Sequence, residues 1–253
     1  MPPSKRSKRS VATPPAASAA RKSPAPSRAA VPAKAPVRKA PVRKGLARKR
    51  FVAMAGNIGA GKTTAAKLLS QHFGFELFDE PVIDNRFLAS YYGDMQRWSF
   101  TLQLEFLLKR VEHHELIDTV PKSCVQDRTL YEDPEIFAKY LHGLGKMDDR
   151  ELELYYEYFK KLSATIRTPD AVIYLDTGDP KVCLKRIKVR GRKEEAGMQL
   201  DFLKGLSAYY ATFPQVCRRK YGMDVLEFDV SHTDIREGDG RDRFLAQVER
   251  FLR

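Results

Sequence analysis

A glycine-rich stretch containing a lysine and two threonines shows the most specific chemistry in this sequence. The segment GNIGAGKTT, residues 56–64, fits the pattern G-x-x-x-x-G-K-[ST] through Gly56, Gly61, Lys62 and Thr63. Glycines let the backbone curl so that successive N–H groups face a phosphate, and a following helix adds the positive end of its dipole. Lys62 can reach the outer phosphates, and the Thr63 hydroxyl can bind Mg²⁺. The stretch therefore predicts a site for a nucleoside triphosphate with magnesium.

Carboxylates follow two further apolar segments. A strand predicted over 75–79 runs into Glu80, and a strand predicted over 123–126 runs into Asp127 and Arg128. Ligands of an open parallel sheet bind at the carboxyl ends of its strands, so these side chains should lie beside the phosphate site. A carboxylate there can accept a proton from an attacking hydroxyl, and an arginine can hold the developing phosphate charge. For Asp127 and Arg128 taken alone, a local ion pair is an equally good interpretation.

A cluster of cations, RGRKEE at 190–195, follows a predicted helix that contains Arg186. A charge run of this kind is usually a solvated face. Beside a phosphate site, arginines next to a flexible glycine instead favour a lid that closes over the transferring phosphates and excludes water.

Alternating strands and helices must position these groups. Short apolar runs predict strands over 51–55, 75–79, 123–126, 171–175 and 225–228. Helical spacing predicts helices over 60–72, 97–118, 133–142, 148–166, 179–189, 200–220 and 240–252. This alternation predicts an α/β domain of the P-loop NTPase type, in which helices cover both faces of a five-stranded parallel sheet.

The positive charge of the chain is concentrated at one end. The 253 residues carry a formal charge of +13, but residues 1–50 hold 15 Lys/Arg, no acidic residue and nine of the 15 prolines. The remaining 30 Lys/Arg and 32 Asp/Glu leave residues 51–253 near neutral. We therefore predict a disordered basic tail over 1–49 and a folded domain over 50–253, because the tail has little apolar surface to bury.

The role of the tail stays open among an inert extension, an arm that binds polyanions weakly, and a transit peptide. The chain has no apolar run of the roughly 18 residues that a membrane span needs, and no secretory apolar region. The three cysteines are too few for a disulfide scaffold. We expect buried thiols and a cytoplasmic protein, with the tail as an alternative address to an organelle or the nucleus.

Five separated segments together resemble the deoxyribonucleoside kinase family, in particular its bacterial deoxyadenosine, deoxycytidine and deoxyguanosine kinases. The resemblance covers residues 51 to about 220 and does not touch the tail. Its segments are GNIGAGKTT (56–64), FDEPV (78–82), YYGDMQRWSFTLQLEFLLKR (91–110), QDRTLYEDPEIFAKYLH (126–142) and RGRKEE (190–195).

The resemblance implies a donor site and a catalytic set. Glu80 would take the proton from the 5′-hydroxyl, Arg128 would hold Glu80 and the phosphoryl group, and Asp127 would serve the Mg²⁺ region with Thr63, directly or through water. Lys62 would assist catalysis. ATP would be held by the glycine-rich loop and by the lid cations: Gly56, Asn57, Ile58, Gly59, Ala60, Gly61, Lys62, Thr63, Thr64, Arg186, Arg190 and Arg192.

The resemblance also implies an acceptor site. Tyr92 and Glu195 would bond the sugar 3′-hydroxyl, and Gln103 would make a bidentate amide contact to the base. The pocket would be completed by four further residues, of which two add base selectivity (Arg110, Asp133), one stacks on the base (Phe137) and one forms a wall (Trp98). Gln103 and Arg110 lie seven residues apart, so both face one side of the predicted helix.

Two positions depart from some relatives, since Leu102 and Thr129 stand where an aromatic residue or serine also occurs in the family. The base preference therefore stays open among adenine, cytosine and guanine. The resemblance further implies a homodimer, whose apolar face the helices over 97–118 and 133–166 can supply. The alternatives are a thymidylate or other nucleoside monophosphate kinase and, in another class, a nucleic-acid-binding protein that acts through its tail.

Overall fold

Five parallel strands form one sheet in the order β2-β3-β1-β4-β5. The computed structural model describes residues 48–79 and 85–253, and of Glu194 the backbone only. The strands are β1 (Phe51–Ala55), β2 (Glu76–Phe78), β3 (Cys124–Gln126), β4 (Ala171–Asp176) and β5 (Asp224–Asp229). In the register of the sheet, Val52 of β1 lies between Val125 of β3 and Ala171 of β4. The predicted five-stranded parallel sheet is confirmed.

Helices cover both faces of this sheet, as predicted. They are α1 (Lys62–Phe73), α2 (Leu88–Gly93), α3 (Met95–Thr119), α4 (Lys139–Gly143), α5 (Asp149–Ser163), α6 (Pro180–Arg190), α7 (Leu200–Tyr210), α8 (Phe213–Tyr221) and α9 (Gly238–Phe251). A π-helical segment, Asp133–Ala138, precedes α4, and a 3₁₀ turn, Lys193–Glu195, follows α6. On β4, Ile173 packs in the core with α1 and α9, and its neighbour Val172 packs in the core with α3, α5 and α7. Alternate strand residues thus serve opposite faces.

Two helical predictions are corrected by the structure. The single helix predicted over 200–220 is divided into α7 and α8 at residues 211–212. Pro214 lies in the first turn of α8, and a proline ring inside a continuous helix would clash with the carbonyl four residues earlier, here that of Tyr210. The helix predicted over 133–142 begins as a π-helix, because its backbone bonds span five residues rather than four. Helix α2 was not predicted.

The described part of the chain contains no helix long and apolar enough to span a membrane. Cys124, Cys183 and Cys217 are free and buried, as expected. Residues 1–47 lie outside the described residues, so the disordered tail stays a prediction.

Candidate active site

The glycine-rich loop joins the end of β1 to the start of α1, in the strand–loop–helix context that its motif requires. Gly59 has a φ of +82°, and a Cβ atom added there would lie 2.7 Å from the carbonyl oxygen of Cys183 in α6. Only glycine fits this close approach without a shift. The Nζ atom of Lys62 donates to the carbonyl oxygens of Gly56 (2.7 Å) and Asn57 (3.1 Å), so its ammonium group lies over the loop.

Thr63 and Asp127 meet at the mouth of the loop. The Thr63 hydroxyl donates to Oδ2 of Asp127 at 2.5 Å, which joins the first turn of α1 to the residue that follows β3. Hydroxyl and carboxylate oxygens are the ligands that Mg²⁺ prefers, and Mg²⁺ commonly takes one or two protein oxygens together with substrate phosphates. The pair therefore fits a magnesium ion bound beside a triphosphate.

Arg186 of α6 fixes the back of the loop. Its guanidinium donates to the carbonyl oxygens of Ala60 (3.0 Å) and Val230 (2.8 Å). It thereby joins the glycine-rich loop to the segment after β5. Arg186 was predicted as a lid cation, but the structure places its charge against the loop itself.

A single cavity of about 940 Å³ begins at the loop and continues beneath α3. Its donor end is lined by residues of the loop and of α6, and its other end by groups from five separate segments: Tyr92, Gln103, Arg110, Arg128, Asp133, Phe137 and Glu195. The cavity also reaches residues 230–236, between β5 and α9, which the sequence did not single out. That loop carries no motif, and only its place at the carboxyl end of β5 pointed to a site.

The far end of the cavity contains a buried ion pair. Nε of Arg110 lies 2.6 Å from Oδ2 of Asp133, and both side chains are almost completely buried. Burial raises the pKa of Asp133 to about 6, while the neighbouring charges of Arg110 and Arg128 oppose that rise. The pair thus presents a fixed arrangement of donors and acceptors at the end of the cavity.

Gln103 lies two turns before Arg110 on the same side of α3 and lines the same cavity. Its side chain is 3% exposed, and among the described residues its amide oxygen has no hydrogen-bond partner. Buried polar atoms are normally paired in folded proteins, so an unpaired amide oxygen in a cavity indicates a ligand that carries a donor.

Arg128 follows β3 with a φ of +81°, a left-handed conformation that is rare for residues other than glycine. Its Nη1 donates to Oε1 of Glu132 (3.3 Å) and to the hydroxyl of Tyr210 (3.0 Å). Its guanidinium also lies 4.8 Å from the centre of the Phe137 ring, a cation–π contact. These contacts hold the Arg128 guanidinium beside Phe137 in the lining of the cavity.

The predicted lid segment lines the cavity with Arg190, Arg192 and Glu195. Arg190 donates to both carboxylate oxygens of Glu195, and Arg192 lies 3.7 Å from the same carboxylate. The charge of Glu195 is therefore compensated by two arginines of its own segment.

Comparison with known proteins shows the family to which the chain belongs. Residues 52–253 match the family described as deoxynucleoside kinase. The chain belongs to the deoxynucleoside kinase family. It is 40% identical over 164 residues to a deoxyadenosine kinase from Dictyostelium discoideum (65% of this chain, 66% of that protein) and 32% identical over 204 residues to a deoxyguanosine kinase from Bacillus subtilis (80% and 97%).

A solved structure of a deoxynucleoside kinase has the same fold. Deoxyadenosine kinase from M. mycoides with bound dATP matches with a TM-score of 0.69 at 28% identity, over 79% of this chain and 99% of that chain. The predictions of the family, the fold class and a kinase are confirmed.

Four of the residues implied by resemblance to the deoxynucleoside kinases do not line the described cavity. Trp98 stacks on Phe87, with ring centres 5.4 Å apart, behind the wall of the cavity. The Asn57 amide donates to the carbonyl oxygen of Leu203 and thereby ties the loop to α7. Gly56 and Asp127 do not line the cavity themselves but bond residues that do, since Gly56 accepts from Lys62 and Asp127 accepts from Thr63. Glu80 lies outside the described residues, so its catalytic role stays a prediction.

Proposed function

We propose that the chain transfers the terminal phosphoryl group of ATP to the 5′-hydroxyl of deoxyadenosine, deoxycytidine or deoxyguanosine, a reaction of nucleotide salvage. One observation carries the proposal. A single cavity contains both the phosphate-binding loop and the buried amide of Gln103, whose oxygen has no partner among the described residues. The first group suits a triphosphate, and the second suits the edge of a nucleobase, since an amide offers a donor and an acceptor side by side.

In the proposed reaction the 5′-hydroxyl oxygen forms a bond to the γ-phosphorus, and the bond from that phosphorus to the bridging oxygen of ADP breaks. The hydroxyl proton passes to Glu80. Lys62 and the backbone of the loop hold the phosphates, and Arg128 stabilises charge on the transferred group. Tyr92 and Glu195 hold the sugar hydroxyl. Mg²⁺ would be held near Thr63 and Asp127, where it would neutralise phosphate charge.

The acceptor base is proposed to bind between Gln103 and the Arg110–Asp133 pair, with Phe137 against its face. Relatives support three candidate bases, because matching proteins are named deoxyadenosine kinase, deoxyadenosine/deoxycytidine kinase and deoxyguanosine kinase. The buried ion pair and the Gln103 amide both offer donors and acceptors to the edge of such a base.

The first test is a phosphorylation assay of the purified chain with Mg·ATP and each deoxyribonucleoside, with thymidine monophosphate in parallel. We expect transfer to the 5′-hydroxyl of at least one of the three favoured nucleosides. Transfer only to the monophosphate would replace the proposal with a nucleotide kinase. A Glu80→Gln variant should lose about 10²–10⁴-fold in kcat, the usual effect of losing a general base. Full turnover in that variant would remove Glu80 from the mechanism.

A homodimer is proposed from the long helices. Leu108 and Leu116 of α3 are 47% and 55% exposed, and Leu154 and Tyr158 of the neighbouring α5 are also exposed. Exposed apolar residues on adjacent helices favour a buried partner face. Light scattering of the purified chain should give twice the monomer mass of 28.8 kDa, and a Leu116→Lys variant should give the monomer mass.

The tail is proposed to bind polyanions weakly while residues 50–253 carry the kinase activity. Deletion of residues 1–47 should leave kcat/KM for the nucleoside within a few-fold and lower the affinity for heparin or DNA. Loss of phosphorylation in the truncated chain would contradict this division of roles. The cytoplasmic location is a proposal of the same kind, tested by comparing where the full and truncated chains reside in cells.

A further inference from the structure

Glu132 is a fully buried carboxylate, 0% exposed, at the start of the π-helical segment. Its Oε1 accepts hydrogen bonds from the backbone N–H of Gly56 (3.1 Å), from Nη1 of Arg128 (3.3 Å) and from the Tyr210 hydroxyl (2.6 Å). Its Oε2 accepts from the backbone N–H of Thr129 at 2.9 Å. One carboxylate therefore contacts the phosphate-binding loop, the segment after β3 and α7.

Arg128 needs such support because of its backbone. It is the one described residue other than glycine with a positive φ, and a left-handed conformation is unfavourable for any residue that carries a Cβ atom. Glu132 holds both ends of that turn, since it bonds the Arg128 side chain and the N–H of the next residue, Thr129. The Tyr210 hydroxyl connects Arg128 to Glu132 a second time, because it accepts from Arg128 and donates to Glu132.

We propose that Glu132, together with Tyr210, is a positioning residue of this active site. It fixes the guanidinium of Arg128 relative to the first glycine of the phosphate-binding loop. This proposal rests on the proposed function, in which Arg128 stabilises the transferred phosphoryl group. Glu132 does not line the described cavity, so it acts through the residues that it bonds, among them Arg128 and Gly56. In the proposed reaction, the alignment of the phosphate donor with the acceptor hydroxyl thus depends on one buried carboxylate.

The test compares Glu132→Gln with Glu135→Gln. Glu135 is a matched control, because it is a buried carboxylate three residues further along. It accepts from Lys139, Lys220 and Tyr221 rather than from the loop or Arg128, and it does not line the cavity. An amide at position 132 has one oxygen to offer instead of two, so at least one of the four donors loses its partner.

We expect Glu132→Gln to lower kcat about 10- to 100-fold, the effect of misplacing a group that acts in the transition state. Its KM for the nucleoside should stay within about threefold of wild type, because Arg128 is proposed to act on the phosphoryl group. Glu135→Gln should keep kcat within about threefold despite a loss of stability, since its partners Lys139 and Lys220 can turn to solvent. Equal kcat values in the two variants, each measured where it is folded, would overturn the proposal.

A second variant removes only one oxygen atom. Tyr210→Phe should lower kcat with little change in KM, and the double variant with Glu132→Gln should lose less than the product of the two single effects, because both act through Arg128. A Tyr210→Phe enzyme with wild-type kcat would overturn the part assigned to the hydroxyl.

Binding of Mg·AMP-PNP, measured by calorimetry, separates failure of this proposal from failure of the proposed function. A Glu132→Ala variant has no acceptor for the Gly56 N–H, so its binding should be about fivefold weaker than that of the control Glu135→Ala, the effect of one hydrogen bond. A wild-type chain that binds the analogue but phosphorylates no nucleoside would refute the proposed function alone. Equal affinities in the two variants would refute the positioning of the loop by Glu132.

Discussion

Replacing Gly59 by alanine tests whether the phosphate-binding loop is held by its close contact with α6. The added Cβ would lie 2.7 Å from the carbonyl oxygen of Cys183 and 3.0 Å from Cγ1 of Ile187, in a backbone with φ of +82°. Two costs therefore combine. A left-handed alanine costs roughly 1–2 kcal/mol, and forcing an extra carbon into a packed region costs about 1–3 kcal/mol. The free energy of unfolding should fall by about 2–5 kcal/mol.

Gly222→Ala is the matched control. Gly222 also has a positive φ, +65°, at the end of α8, but a Cβ added there would meet no atom within 4 Å. This variant should lose only the backbone part, roughly 1–2 kcal/mol. Urea unfolding of both variants measures the difference, which isolates the contact with α6 from the cost of the left-handed backbone.

The activity of Gly59→Ala should fall as well. If the loop moves away from α6 to relieve the contact, its N–H groups no longer face the phosphates correctly, and kcat/KM for ATP should fall at least about tenfold. Gly222→Ala should keep its kcat/KM. Equal loss of stability in the two variants, with unchanged kinetics for ATP, would show that the loop does not depend on this contact.

Three further measurements probe the acceptor end and the core. Gln103→Leu should raise KM for the nucleoside about 10-fold or more and leave KM for ATP nearly unchanged, because the amide is proposed to contact only the base; equal changes in both would contradict that. Since burial raises the pKa of Asp133 to about 6, kcat/KM for the nucleoside should fall as the pH falls through about 6, and Asp133→Asn should lack that step. Burial lowers the pKa of His114 from 6.5 to about 4. As the pH falls, His114 therefore becomes protonated in the unfolded chain at a higher pH than in the folded chain. Stability should be full above about pH 6.5 and fall by up to roughly 3 kcal/mol towards pH 4, and urea unfolding of a His114→Gln variant should show a smaller fall.

The donor half of the site was predictable because its residues are consecutive. Nine positions, 56–64, form the whole cradle, and the strand and helix on either side follow from local apolar spacing. The Thr63–Asp127 contact was also predictable, since the order of β1 and β3 in a parallel sheet brings their carboxyl ends together.

The acceptor half was accessible only through resemblance. Gln103 and Arg110 are ordinary residues of a helix by periodicity, and Asp133 lies in a π-helical segment that no 3.6-residue period describes. Glu132 was missed because a buried acid next to a candidate base-binding residue has no distinctive spacing. The one signal available was its place four residues after Arg128, a separation at which side chains on a helix meet.

Long-range hydrogen bonds join the phosphate-binding loop to the rest of the site. Asn57 donates to Leu203 of α7, Ala60 accepts from Arg186 of α6, and Gly56 donates to Glu132. These three bonds span 146, 126 and 76 residues of sequence respectively. A loop with several glycines has much conformational freedom to lose, so its phosphate-binding shape needs support from outside its own sequence. Because each support comes from a segment that also reaches the cavity or Arg128, correct folding of the acceptor half is itself a condition for donor binding. In the proposed reaction the motif would hold the phosphates, and the buried polar contacts would align the acceptor hydroxyl with them.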